Sequence, residues 1–257
     1  MSLTAEFLQS IQVLRQGVED DEGSLPQGFP TLDDVLAQVA PLPEHGLFLG
    51  IASDGLPLLL NLQDPTPGAI LVLGEGQTGK TDFLQGVARA ASLTHQPRFF
   101  RFAVITPFTA EWAGWESLPH CLGLWGLDDS GLKDLMADLS ARAEDRNKPE
   151  TLLLLVDGFH HLVDLEVETL ESLRWLLVNG AASKVWTIAA LNADEAISLS
   201  NWVEAFRTRI FGPIRNSKLA DRFASMPGAN LGTLLRGAQF CIPERTHWLR
   251  FWLPLLR

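Results

Sequence analysis

At 257 residues and 46% hydrophobic content, the chain is long and apolar enough to bury a full α/β core, and one domain with a small appendage is expected rather than two equal domains. The formal net charge of −11 argues against a monomer that coats nucleic acid by general electrostatic attraction. Cys121 and Cys241 belong to no Cys-x-x-Cys pair and indicate neither a disulfide framework nor a zinc site, and no apolar stretch approaches the ~18 residues that span a bilayer. Residues 1–18 carry Glu6 and Arg15 among their apolar side chains, unlike the unbroken apolar core of a signal peptide, so a soluble, reducing, cytoplasmic setting is the expectation.

In chain order, Phe7, Ile11, Leu14 and Val18 fall on one helical face, and the acidic run from Glu19 to Glu22 before Gly23 reads as a solvated linker. Thr31 is placed to cap a short second helix bearing Leu32, Val35, Leu36 and Val39, which Pro41 and Pro43 terminate. Residues 1–44 thus read as an N-terminal helical appendage and linker, and residues 45–257 as the main domain. Leu47–Ile51 and Leu56–Leu62 flank Asp54-Gly55, a dipeptide that favours a tight turn, so the domain is expected to begin with a β-hairpin.

Ala69 to Leu73 is an unbroken apolar run of strand length. It leads into Gly74-Glu75-Gly76-Gln77-Thr78-Gly79-Lys80-Thr81, a complete G-x-x-x-x-G-K-T phosphate-binding loop followed by Asp82. The glycines let the backbone curl until several N–H groups point inward at an anion. Lys80 can then reach the β- and γ-phosphates of a nucleoside triphosphate, and the Thr81 hydroxyl can hold Mg²⁺. Phe83, Leu84, Val87 and Ala91 recur at helical spacing beyond the loop, so the turn joins a strand to a helix whose N-terminus faces the phosphates.

Strands are expected over 101–106 and 119–125, separated by a loop bearing Trp112 and Trp115, and then a helix over 130–146 with Leu132, Leu135, Met136 and Leu139 inward. A further strand over 152–156, a helix over 165–178 closed by Asn179-Gly180, and a strand over 185–191 complete an alternating pattern that implies a mostly parallel sheet flanked by helices. The run Thr151 to Asp157 ends in a carboxylate at the edge where a nucleotide site holds Mg²⁺ through its water shell, making Asp157 the partner of Thr81 as metal ligand. Asn192 ends the next strand, where it can sense the γ-phosphate or position water, or simply cap a turn. Gly158 follows Asp157 and cannot act as a base; His160, His161, Asp164 and Glu166 lie near it as substitutes, although turn or cap roles suit the histidines better. Arg207, Arg209, Arg222 and Arg236 are candidates for a finger offered to a neighbouring subunit. No guanine-reading Asn-Lys-x-Asp follows, which favours ATP over GTP.

The order of these features resembles the FtsK/HerA group of P-loop ATPases, in the RecA-like division, over roughly residues 45–255. The carriers are Gly55 to Leu62, the loop Leu73 to Thr81 (Walker A), Leu118-Pro119-His120, and Leu154 to Phe159 with Asp157 as the Walker B carboxylate. Thr208 to Phe211, Asn216 to Asp221 and Gly232 to Phe240 resemble an arginine-containing strand, a Ser-Lys-x-x-Asp helix start and a final glycine-led strand. The resemblance implies a RecA-like fold, ATP and Mg²⁺ as ligands, a ring-shaped homo-oligomer or ATPase partner subunit, and double-stranded DNA as what is moved. In it, Lys80 and Asn192 are the catalytic candidates, and residues 74–82 bind nucleotide. Two departures stand out: Gly158 replaces the usual Glu, and Asn192 stands where Gln is usual. They support a second reading, a nucleotide-binding regulatory or scaffold protein with weak or no hydrolysis, in which a glutamate restored at 158 raises turnover. No acceptor site or Arg-rich lid recommends a small-molecule kinase.

Overall fold

Four strand-length runs, Ile70–Gly74, Phe100–Ile105, Thr151–Asp157 and Val185–Asn192, are buried along nearly all their length, as strands covered on both faces must be. They form the heart of one ten-stranded sheet in the computed structural model, which describes residues 29–144, 150–224 and 226–256. The strands are β1 (Gly46–Ala52), β2 (Pro57–Asn61), β3 (Ile70–Gly74), β4 (Phe100–Ile105), β5 (Cys121–Trp125), β6 (Thr151–Asp157), β7 (Val185–Asn192), β8 (Thr208–Phe211), β9 (Gln239–Glu244) and β10 (His247–Trp252), ordered β2-β1-β10-β9-β8-β3-β7-β6-β4-β5. From β8 to β5 all pairings are parallel; from β2 to β8 all are antiparallel. The helices are α1 (Leu32–Val39), α2 (Lys80–Thr94), α3 (Leu132–Glu144), α4 (Val167–Asn179), α5 (Ser200–Val203) and α6 (Ser217–Phe223).

The period-two alternation of the strands sorts their side chains onto two helical layers. Ile70, Val72, Phe102, Leu153 and Leu155 pack with Phe83, Leu84 and Val87 of α2, whereas Leu71, Leu73, Leu154 and Val156 pack with Met136 and Leu139 of α3 and Leu173 and Leu176 of α4. Fully burying such side chains stabilises by about 1.5–3 kcal/mol each. That outweighs the ~1 kcal/mol penalty of placing Gly86 inside α2. The sheet is therefore clamped on both faces, and the loops leaving its parallel strands are held by a rigid base.

The β1–β2 hairpin forms as expected, with Asp54 Oδ1 accepting from Leu56 N at 3.0 Å. Thr31 caps α1 by accepting from Asp34 N at 3.2 Å. α1 then buries Leu32, Val35 and Leu36 against Phe48, Ile51, Ala90 and Trp252, and Leu32 N donates to Leu255 O at 2.9 Å. The expected first helix and acidic linker lie outside the described residues. Two expected helices start two residues later, at Leu132 and Val167, and α4 is preceded by a 3₁₀ stretch, Phe159–Asp164. Residues 232–240 are not one strand: Leu231–Thr233 is a 3₁₀ turn and β9 starts only at Gln239, because Gln239 N closes a turn onto Leu235 O at 2.9 Å and Gly237 N donates to the carbonyl of Thr78 at 3.3 Å. Among the described residues no helix is long and apolar enough to cross a membrane.

Candidate functional site

β3, β6 and β7 all deliver their C-terminal ends to the same edge of the sheet, where open α/β folds gather their ligands. Gly74 at the end of β3 pairs with Asn192 at the end of β7, and Asp157 at the end of β6 pairs with Ala190 on the other side of β7. One strand therefore separates the phosphate loop from the carboxylate. Between them lies a cavity of about 520 Å³, which the loop residues from Gly76 to Asp82, together with Asp157 and Asn192, line.

The loop needs glycine at 79 for two independent reasons. Its φ is +83°, and a Cβ there would stand 2.6 Å from the Cα of Gly237, on the turn before β9. Lys80 begins α2 and is 8% exposed, with Nζ donating to Glu75 O at 2.5 Å and Gly74 O at 3.3 Å. Its ammonium is thereby folded into the hollow that the loop wraps. Burial pulls its pKa down to about 8, against the attraction of Asp157 and Asp194. Glu75 turns its side chain away from the cavity: Oε1 accepts from Arg215 N at 2.6 Å and Asn216 N at 3.2 Å, and Oε2 pairs with Arg236 at 3.3 Å. Glu75 thus contributes backbone to the loop's interior and uses its carboxylate to tie the loop to the segment after β8.

Thr81 Oγ1 donates to Asp157 Oδ1 at 3.2 Å, and the indole of fully buried Trp112 donates to Asp157 Oδ2 at 3.1 Å. Burial raises the pKa of Asp157 while these hydrogen bonds and Lys80 oppose the rise. Burial, and then Asp157, likewise raise that of Asp82. A hydroxyl and one carboxylate are hard oxygen donors of the kind Mg²⁺ takes when phosphates and waters complete its shell. Among the described residues no group of three or more His, Cys, Asp or Glu side chains is arranged to hold a metal by itself. The site therefore fits Mg²⁺ that arrives with a triphosphate.

Gly158 has φ +82°, and a Cβ there would lie 3.2 Å from both His161 Cδ2 and Phe108 Cε2. Glycine stands here for a backbone reason, which sequence alone does not show. A left-handed non-glycine residue costs roughly 1–2 kcal/mol before any crowding. Gly158→Glu is therefore expected to lower stability by about 1–3 kcal/mol without raising turnover, contrary to the restoring effect anticipated from sequence. Urea unfolding beside an ATP turnover assay checks this; a stable, faster variant would show that the turn relaxes to present the carboxylate.

Of the residues singled out from sequence, 76–82, Asp157 and Asn192 converge on the cavity, with Gly74 at its base. His160 also lines it, its Nδ1 without a partner among the described residues and its pKa lowered chiefly by burial, and its ring lies tilted against that of His161 with centroids 3.9 Å apart. Glu166 instead meets Lys133 on the surface at 3.1 Å. Arg236 is committed to Glu75, while the side chain of Arg207 packs against the backbone of Gly68. Sequence reasoning missed Phe108, Glu111 and Gly237, which also line the cavity, and the tie from Trp112 to Asp157. The indoles in the loop after β4 and the glycine-led segment around Gly237 were the only signals for any of them.

No protein-family model matches the chain, and no curated protein matches it in sequence. Solved structures do match. EccC ATPases 2 and 3 from Thermomonospora curvata, in complex with a signal sequence peptide, superpose with a TM-score of 0.67 at 18% identity, covering 91% of this chain and 44% of that one. The cytoplasmic domain of EssC gives 0.71 at 11% identity, covering 96% and 51%. The pCW3 conjugation coupling protein TcpA, in monomer form with ATPγS, gives 0.67 at 12%, covering 90% and 71%. The chain spans about half the length of the first two. At these identities the likeness is one of fold, and the chain has the P-loop ATPase fold of these proteins, the FtsK-like architecture that its sequence resembles.

Proposed function

We propose that the chain binds ATP with Mg²⁺ at the phosphate loop and hydrolyses it, as a motor-type ATPase domain of the FtsK/HerA kind working within a larger assembly. The observation that carries this reading is the 3.2 Å hydrogen bond from Thr81 to Asp157, with Lys80 in the same cavity. A loop hydroxyl and a strand-end carboxylate meeting there are the two protein donors a Mg²⁺-triphosphate needs. Lys80 would exchange its bonds to the Glu75 and Gly74 carbonyls for phosphate oxygens, and the inward backbone N–H groups of the loop would orient the phosphates. The ion, when bound, would neutralise the charge that develops on the phosphates. Asn192, paired with Gly74 and lining the cavity, would read the terminal phosphate.

The net charge of −11 means that any duplex DNA would be gripped by a few local basic loops, and a polypeptide is an equal candidate for what is moved. A ring of identical subunits or a partner ATPase subunit is the expected assembly. ATP turnover of the purified chain tests the reading, with and without duplex DNA, beside a Lys80→Ala control and a measurement of mass in solution. Mg²⁺-dependent turnover above the control is expected, and its absence defeats the motor reading.

One observation favours the alternative, a nucleotide-binding regulator with weak or no hydrolysis. Both oxygens of Asp157 already accept from protein donors, Thr81 and Trp112, so a metal or its water shell has to share the carboxylate with them. Tight ATP binding with turnover no greater than that of Lys80→Ala would establish it.

A further inference from the structure

The reading of the chain as an ATP hydrolase leaves one role unfilled, because the position after Asp157 is a glycine in a left-handed turn. We infer that Glu111 supplies the missing carboxylate and activates the attacking water. The inference rests on the hydrolase reading above and adds the residue that performs the proton transfer.

Glu111 lines the same cavity as Lys80, Thr81, Asp157 and Gly158. It lies on the 3₁₀ turn Thr109–Trp112 that follows β4, and β4 is the sheet neighbour of β6, whose end carries Asp157. The turn is fastened to both halves of the site. Gln85 Nε2, one turn into α2, donates to the backbone carbonyl of Glu111 at 2.8 Å, and the next residue, Trp112, donates its indole N–H to Asp157 at 3.1 Å. Glu111 N closes the turn onto Phe108 O at 3.0 Å. The backbone beneath this side chain is thus fixed relative to loop and metal carboxylate, which a general base requires. The residue is exposed, and among the described residues its carboxylate forms no ion pair.

The other acids and bases around the cavity are worse placed. Asp157 has both oxygens engaged. Asp82 follows Thr81 in the first turn of α2, directly beside the hydroxyl assigned to the metal. Among the described residues His160 is the one competitor around the cavity with an unengaged ring nitrogen.

In the proposed step, a lone pair of the water oxygen forms a bond to the γ-phosphorus while the bond from that phosphorus to the β–γ bridging oxygen breaks, its electron pair leaving on ADP. The proton of the water passes to the Glu111 carboxylate and then to solvent. A positioned base contributes about 10²- to 10⁴-fold to such a step.

The test is single-turnover hydrolysis of Mg·ATP by wild type, Glu111→Gln, Glu111→Asp and His160→Ala, with ATP affinity measured for each. Because the hydrogen bonds of Glu111 to Gln85 and Phe108 run through its backbone, the glutamine variant is expected to keep the fold and an ATP affinity close to that of wild type. Its hydrolysis is expected to slow by about 10²-fold or more, with Glu111→Asp intermediate. Hydrolysis by Glu111→Gln within threefold of wild type, or a larger loss in His160→Ala, overturns the assignment while leaving the hydrolase reading intact. Wild type that binds ATP but hydrolyses none defeats that reading, and this inference with it.

Discussion

Lys80→Met is expected to abolish ATP turnover and yet make the nucleotide-free protein more stable. The two effects have one cause. Lys80 holds its ammonium in a nearly closed hollow, where burial has drawn the pKa from 10.5 to about 8. A shift of that size means that at pH 7 the charged form costs the empty fold on the order of 3 kcal/mol. Its bonds to Glu75 O and Gly74 O repay part of that, so a net gain of about 1–3 kcal/mol is expected for the methionine variant. The penalty is complete below pH 8, where folded and unfolded chains are both protonated. It fades between pH 8 and 10.5, where the folded chain has released the proton and the unfolded chain still holds it. Thermal unfolding of the two proteins should therefore show a gap that is widest near neutrality and closes as pH rises through that window. A variant no more stable than wild type at pH 7, or a gap that widens with pH, would refute this account. A triphosphate reverses the balance by giving the buried cation its anion; removing one partner of such a pair typically forfeits about 2–5 kcal/mol, or roughly 30-fold and more in affinity. For the same reason, ATP affinity of wild type should decline as pH climbs above 8, because the empty site then holds less of the charged lysine.

Asp157→Asn is expected to leave the fold intact and remove the response to Mg²⁺. Asparagine is nearly isosteric, and its carbonyl oxygen can still accept one hydrogen bond, so the variant should unfold no earlier than wild type once the buried charge is gone. Without an anionic donor opposite Thr81, however, the site has only a neutral hydroxyl and amide to offer the ion. Metal-derived stabilisation of a phosphoryl transition state is worth several kcal/mol, so turnover should fall by about 10²- to 10³-fold. Mg²⁺ titration of turnover, with ATP affinity followed at each concentration, is the measurement. An unchanged Mg²⁺ response would remove Asp157 from the metal site.

The expectation for Asp157 came from sequence because its signal is local: an apolar strand ending in a carboxylate, after a complete phosphate loop. The same locality explains why the parallel core, the hairpin and the cap at Thr31 were legible. What was hidden depends on contacts between distant segments. Glu111 is a single exposed acid in a loop and carries no periodicity; only the placement of β4 beside β6 brings it to the cavity. The partnership of Glu75 with Arg236 joins the loop to a segment near the end of the chain. Residues 232–240 combine apolar and glycine positions in a manner compatible with a strand. The turn at Leu235–Gln239 wins because Gly237 is needed against the phosphate loop rather than in the sheet. Gly158 looked like a deletion of function, and its positive φ gives it a structural reason instead.

The 2.6 Å approach that a Cβ on Gly79 would make to Gly237 has a consequence for how this binding loop can be inherited or transplanted. The octet from Gly74 to Thr81 is commonly treated as a portable cassette. Here its curvature is moulded from outside, by the turn that leads into the antiparallel half of the sheet, so a fragment ending before Leu235 would retain the motif while losing the surface that shapes it. Any lineage that enlarges the side chain at 79 must reposition the backbone at 237, whereas 237 itself is held to glycine by its φ of +74° and not by crowding, so variation at the loop is answerable to a turn far along the chain.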